Sequence, residues 1–159
     1  MKLAILAVGH RQPGWVVTAF EEYAKRMPRE ARIELVELKP EARPDNAGEA
    51  AIQKLLEREA QRIDAAIPTG TTRVVLDERG DALTTRALSQ AFDGWLADGR
   101  DVAFIIGSAD GLHPDVKAAA ARRIALSAMT LPHGLARVLL AEQLYRALSL
   151  IKGHPYHRD

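Results

Sequence analysis

Apolar positions along the chain switch between two spacings. Residues 3–8 form an unbroken apolar run closed by Gly9, the pattern of a strand buried on both faces. Trp15, Val16, Ala19, Phe20 and Tyr23 then recur at helical spacing, in a helix opened near Pro13 and stopped by Pro28. Residues 33–38 predict a second strand. Residues 39–48 are polar and include Pro40, Pro44 and Gly48, which predicts a mobile loop. A helix follows over about 49–66, with Ile52, Leu55, Leu56, Ala60 and Ile63 on one face. Residues 68–70 make a turn, 73–77 a short buried strand, and 77–80 its exit loop. Thr84 or Thr85 caps a helix carrying Leu88, Ala91, Phe92, Trp95 and Leu96, which ends at Asp98-Gly99. Residues 101–107 are the clearest buried strand, and residues 107–111 leave it. Pro114 opens a helix to about 122, and 124–127 is a last short strand. A loop through Leu131, Pro132 and His133 then leads into a long helix from 134 to 151, stopped at Gly153.

Strands alternating with helices from end to end predict an α/β layer fold, with a mostly parallel sheet flanked by helices. No repeat, low-complexity tract or boundary divides the chain, so one domain over 1–159 is expected. The last helix is apolar nearly all round (Leu135, Val138, Leu139, Leu140, Leu144, Tyr145, Leu148 and Ile151). Such a helix is covered on several sides, by its own chain or by a partner subunit. Glu142 and Arg146 stand four apart on it, the spacing of a helix-face ion pair that can also sit at an interface.

Composition narrows the possibilities. With 47% hydrophobic and 27% charged residues among 159, disorder is excluded for the chain as a whole. A formal charge of +1 argues against a protein that coats nucleic acid, though not against a local basic patch. The absence of cysteine removes disulfides, thiolate metal sites and a cysteine nucleophile. The first apolar run is too short for a secretion signal, and no run approaches the roughly 18 residues of a membrane span. A cytoplasmic protein with no membrane association is expected.

Ligands of open α/β sheets sit beyond the carboxyl ends of the strands. Three exit loops are therefore candidates: 76–80, 107–111 and 127–134. Gly107 and Gly111 allow close backbone approach, although glycine-flanked strand exits are also routine turns. Neither a G-x-G-x-x-G nor a G-x-x-x-x-G-K-[ST] motif is present, so dinucleotide and P-loop readings are poor. The uncharged run Met129-Thr130-Leu131-Pro132 suits a flat ring read by backbone amides, or is simply a loop packed under the last helix. The tail is unusual for a chain end, which normally frays. It concentrates His154, Tyr156, His157 and Arg158 in six residues. The pair His154-x-x-His157 lacks a third ligand, so no metal is expected. The π-faces and the guanidinium suit contact with a nucleic acid base and phosphate, or a tail folded on the surface.

Four segments carry a family resemblance: I-I-G-S-A-D-G-L (105–112), L-S-A-M-T-L-P-H (126–133), R-V-L-L-A-E-Q-L-Y-R-A (137–147) and the terminal G-H-P-Y-H-R (153–158). Together they closely resemble the ribosomal RNA large-subunit methyltransferase H family, a minimal branch of the SPOUT methyltransferases. The resemblance spans the whole chain. It implies a SPOUT α/β fold with a C-terminal trefoil knot, which periodicity could not have revealed. It implies a homodimer that transfers a methyl group from S-adenosylmethionine to N3 of a pseudouridine in 23S rRNA of the assembled 70S ribosome. By matching positions it implies cofactor contacts at Leu76, Gly107, Ser108, Ser127, Ala128, Met129, Thr130, Leu131 and Pro132. Catalytic roles would fall among His133, Arg137, His157 and Arg158, and substrate contacts on His154, Tyr156, His157 and Arg158, the tail acting across the dimer interface. The chain departs from the family at Ser108, where a second glycine is usual. If that position needs positive φ, serine loses the required freedom.

N3 of a uracil ring carries a proton and is a poor nucleophile while neutral. The expected chemistry is in-line methyl transfer, with His157 or His133 assisting deprotonation and Arg158 or Arg137 stabilising charge on O2 and O4. Two alternatives compete: the same chemistry on another RNA such as tRNA, and a ribosome-binding factor without chemistry.

Overall fold

The computed structural model describes residues 1–157. Five strands, β1 (Lys2–Val8), β2 (Arg32–Leu38), β3 (Thr72–Ala82), β4 (Val102–Ile106) and β5 (Arg122–Ala125), form one sheet in the order β2-β1-β4-β3-β5. Every pairing is parallel. The helices are α1 (Gly14–Ala24), α2 (Glu49–Ala66), α3 (Thr85–Asp98), α4 (Pro114–Ala119) and α5 (His133–Lys152).

The period-2 geometry of the strands sorts their side chains onto two faces. Leu3, Ile5, Val74, Val102, Phe104 and Ile106 pack with Phe20, Leu88, Phe92, Leu140, Leu144 and Leu148, so α1, α3 and α5 cover one face. Ala4, Leu6, Val8, Val75, Ala103 and Ile105 pack with Ala60, Ile63, Leu112 and Val116, so α2 and α4 cover the other. Central strands buried on both sides explain the unbroken apolar runs at β1 and β4. The chain leaves β1 toward β2 and leaves β4 toward β5, in opposite directions. The crevice beyond β1 and β4 is therefore the point where ligands of such sheets bind.

Local chemistry fixes the helix ends. The Thr84 hydroxyl accepts from the Ala87 amide at 3.0 Å and caps α3. Gly99 and Gly153 close α3 and α5 at φ 68° and 67°, in the left-handed region that glycine enters without penalty.

The sequence reading needs correction in five places. Strand β3 does not end at Asp77. Leu76 and Asp81 both pair with Ile124, so residues 77–80 leave the ladder as a bulge and the strand resumes. Gly80 sits so close beneath Arg123 that an added Cβ would lie 2.8 Å from its backbone carbonyl carbon, and only glycine fits there. Helix α4 stops at Ala119 and β5 begins at Arg122, earlier than expected, because the Ala121 amide donates to the Arg73 carbonyl at 2.9 Å and draws the chain into the sheet edge. Helix α1 ends at Ala24, well before Pro28. The loop at 39–48 is not a free segment. Arg62 holds the Lys39 carbonyl (2.6 Å) and Glu41, and the buried Glu59 accepts from the Glu41 amide at 2.9 Å. Ser108, finally, is not among the residues at positive φ, so the conformational cost expected there does not arise.

Candidate active site

A cleft of about 910 Å³ opens beyond the carboxyl ends of the strands. All three exit loops named from the sequence converge on it. Leu76, Gly107, Ser108, Ser127, Met129, Thr130, Leu131 and Pro132 line it, as does His133; Ala128 does not. The floor is apolar (Val8, Ile106, Leu112, Ile124, Leu126) and the rim is polar. The volume suits a cofactor-sized ligand. Met129 stands 79% exposed at the lip.

The exit of β4 is a tight turn. The Gly111 amide donates to the Ser108 carbonyl at 2.9 Å, and Gly111 takes φ 82°. A Cβ on Gly107 would lie 2.6 Å from the Gly111 carbonyl oxygen, so the loop exists in this form only with glycine there.

Asp77 and Glu78 bring carboxylates to the rim from the bulge of β3. Asp77 accepts from the Arg79 amide at 3.1 Å and meets the Lys117 ammonium at 3.4 Å. Burial pushes this carboxyl up, but the Arg79 amide and Lys117 outweigh it and hold it below the usual aspartate value. Asp77 and Lys117 thus form a charge pair at the rim.

His133 begins α5 and packs against the crevice between β1 and β4. Its Nδ1 lies 3.1 Å from the Gly107 carbonyl oxygen. A carbonyl only accepts, so Nδ1 carries the proton and Nε2 the lone pair when the ring is neutral. Nε2 is buried without a partner, next to Gly9, where an added Cβ would come within 3.0 Å of it. Burial, and then the charge of Arg137, push the His133 pKa down against the pull of the Gly107 carbonyl and Glu37. The ring is neutral at pH 7, yet neither nitrogen faces the cleft as a free base.

Arg137, one turn on, is only 2% exposed and does not line the cleft. One Nη donates to Glu37 at 2.9 Å; Nε and the other Nη are buried without partners. Arg137, expected to contact a reacting ring, lies outside the cleft lining in this chain. It stands behind His133.

The tail lies elsewhere. Helix α5 is 20 residues long, so its ends are about 30 Å apart; His154 follows its far end, and Tyr156 folds back onto the middle of the helix. The Tyr156 ring packs on Tyr145 at 4.5 Å between centroids, with the Arg146 guanidinium 5.0 Å from its centre. Its hydroxyl donates to Glu142 at 3.1 Å. Arg146 pairs with the same Glu142 oxygen at 2.7 Å, so the i,i+4 pair read from sequence is formed. Arg158 lies outside the described residues, as does the side chain of His157. Among the described residues of a single chain, cleft and tail do not meet.

Sequence reasoning missed Gly9 as the seat of His133, the Asp77–Lys117 pair, and a fastening of Arg43 and Glu59 beside Ser108. Gly9 was signalled by its place at a strand exit. The other pairs join residues far apart in sequence, with no local pattern to show them.

A parallel five-stranded sheet flanked by helices, with a cleft built from the exits of β3, β4 and β5, is consistent with a SPOUT-type methyltransferase fold. The family model described as predicted SPOUT methyltransferase matches residues 1–157, and the chain belongs to that family. Full-length relatives are closely similar. Ribosomal RNA large subunit methyltransferase H of Burkholderia multivorans is 59% identical over 158 residues, covering 99% of each chain. The proteins of the same name from Burkholderia cenocepacia and Nitrosospira multiformis are 58% and 57% identical, again over 99% of each.

Proposed function

We propose that this chain methylates N3 of a pseudouridine in 23S rRNA of the assembled ribosome, using S-adenosylmethionine and acting as a homodimer whose C-terminal segment forms the family's trefoil knot. The observation that carries this reading is the convergence on one cleft of eight of the nine positions expected to hold the cofactor, in a chain whose close relatives bear the name of a large-subunit rRNA methyltransferase. The residues fit the cofactor. The apolar floor and the loop at 127–132 suit the adenosine.

When bound, S-adenosylmethionine supplies an electrophilic methyl on a sulfonium. The chain's own task is to bring a uracil-type N3 to it without its proton. His133 is committed to the Gly107 carbonyl through Nδ1 and buried at Nε2, so it serves as a support for the β4 exit. Arg137 acts through His133. The base is assigned to His157 and the stabilising charge on O2 and O4 to Arg158. Tyr156 braces the tail that presents them, and His154 contacts the RNA. Holding both reactants in line contributes more than the base alone.

Because no described tail residue lines the cleft of its own chain, the tail serves the cleft of a partner. Trp15, 59% exposed on α1, and Leu135 and Leu139 on α5 offer apolar surface for that contact. The two helices cross where Gly134 packs on Val16. A charge of +1 leaves little grip on bare RNA.

The test is parallel methylation of assembled ribosomes, naked 23S rRNA and tRNA. Ribosomes are expected to be methylated far faster than either free RNA. Preferred methylation of tRNA would replace the substrate, and absence of calorimetric heat with S-adenosylmethionine would replace the enzyme with a binding factor.

A further inference from the structure

The loop at 39–48 joins β2 to α2 and contributes Pro40, Glu41 and Arg43 to the cleft. One side chain fastens it. Arg43 Nε donates to Asp110 Oδ2 at 2.6 Å, and one Nη donates to the Ser108 hydroxyl at 2.7 Å. The other Nη donates to the Glu41 carbonyl at 2.8 Å and to Glu59 Oε2 at 3.1 Å. The Ser108 hydroxyl in turn donates to Glu59 Oε1 at 2.7 Å. Glu59, on α2, is 3% exposed, a buried carboxylate whose two oxygens are satisfied by three residues from two segments of the chain. Every nitrogen of the guanidinium fork is used, which a lysine ammonium could not reproduce.

The geometry points to Arg43 as a positioning residue for the methyl donor: by tying the 39–48 loop and the buried Glu59 to the β4 exit at Ser108 and Asp110, it holds two walls of the cleft in their binding arrangement before the donor arrives. This rests on the reading of the cleft as the donor site. A wall set in advance lowers the ordering cost of binding. It acts equally on the bound ground state and on the transition state, so its loss raises KM and leaves kcat alone. Ser108 is a lesser member of the same fastening, since Arg43 reaches Glu59 and Asp110 without it.

Calorimetric titration with S-adenosylmethionine, with steady-state methylation of ribosomes, tests this on wild type, Arg43→Gln, Arg43→Lys, Ser108→Ala and the Arg43→Gln/Ser108→Ala double variant. Arg43→Gln is expected to raise Kd and KM for the donor about tenfold with kcat held within about twofold. Arg43→Lys stays close to Arg43→Gln, because the fork and not the charge is required. Ser108→Ala costs about threefold, and the double variant is no worse than Arg43→Gln, since both changes undo one network. Wild-type affinity in Arg43→Gln or in Arg43→Lys, additive losses in the double variant, or a fall in kcat at constant KM would overturn the inference while the wild type still binds. A wild type that itself gives no heat would overturn the donor site and this inference together.

Discussion

Helix α5 buries two charges, Glu142 at its middle and Arg137 nearer the cleft, and they are treated differently. Glu142 is saturated. One oxygen accepts from Arg146 and from Tyr156, and the other from the Gln143 amide at 2.8 Å; Gln143 accepts in turn from Thr85 at 2.8 Å. At the cleft end Arg137 has one carboxylate partner, half-exposed Glu37, and two buried donors without any. The first arrangement is what a rigid mount requires: a closed network that fixes Tyr156 and hence the root of the tail. The second leaves polar capacity beneath His133, at the crevice between β1 and β4. A buried charge stabilises only when its hydrogen-bonding groups are met, so Glu142 contributes to folding, whereas the unmet donors of Arg137 cost stability.

The largest expected effect separates these roles. Glu142→Met strips the acceptor from Tyr156 and Gln143 and should lower stability by about 2–4 kcal/mol in denaturant unfolding. Arg137→Met removes two unsatisfied donors with one ion pair and should change stability by less than about 1 kcal/mol, or raise it, while methyl transfer falls. Equal destabilisation by the two would break the comparison.

A smaller effect sharpens it through pH. The folded state holds His133 below its ordinary pKa, so the unfolded chain binds this proton more readily. Stability from this group is complete above the unfolded histidine pKa of about 6.5 and falls as pH drops from there toward the folded value. Unfolding at pH 7.5 and 5.5 should show that loss in the wild type and a reduced loss in His133→Asn. An unchanged pH dependence would mean that His133 titrates normally.

The smallest effect is spectroscopic. Burial first, then Tyr23 and Glu142, push the Tyr156 phenol up to about 12. Ultraviolet titration should find one tyrosine ionising late, and Glu142→Gln should bring it part of the way back toward 10.

What was legible in the sequence follows from burial. Strands β1 and β4 lie inside the sheet, so every position but Lys2 is apolar and their limits could be read closely. The bulge of β3 could not be read. Residues 77–80 are polar and end in glycine, like any exit loop, and only the space under Arg123 reveals that the strand resumes. The cleft was legible at the level of backbone, because glycine and proline mark strand exits. The partners of its side chains were not. Arg43 finds Ser108 and Asp110 across 65 and 67 positions of chain, and His133 finds Gly107 across 26. The tail's residue types were conspicuous, but that its described residues stand apart from their own cleft required the fold.

The proposal that one chain's tail completes a partner's cleft is tested most directly by mixing two inactive chains. One chain lacks residues 154–159; the other carries Gly107→Ala, whose Cβ would lie 2.6 Å from the Gly111 carbonyl oxygen and spoil the cleft. Each alone should be inactive. Co-refolded in equal amounts, half the dimers are mixed, and each mixed dimer joins one sound cleft to one sound tail, restoring about a quarter of the wild-type activity. Mixed dimers that form but stay inactive would contradict a site shared between subunits.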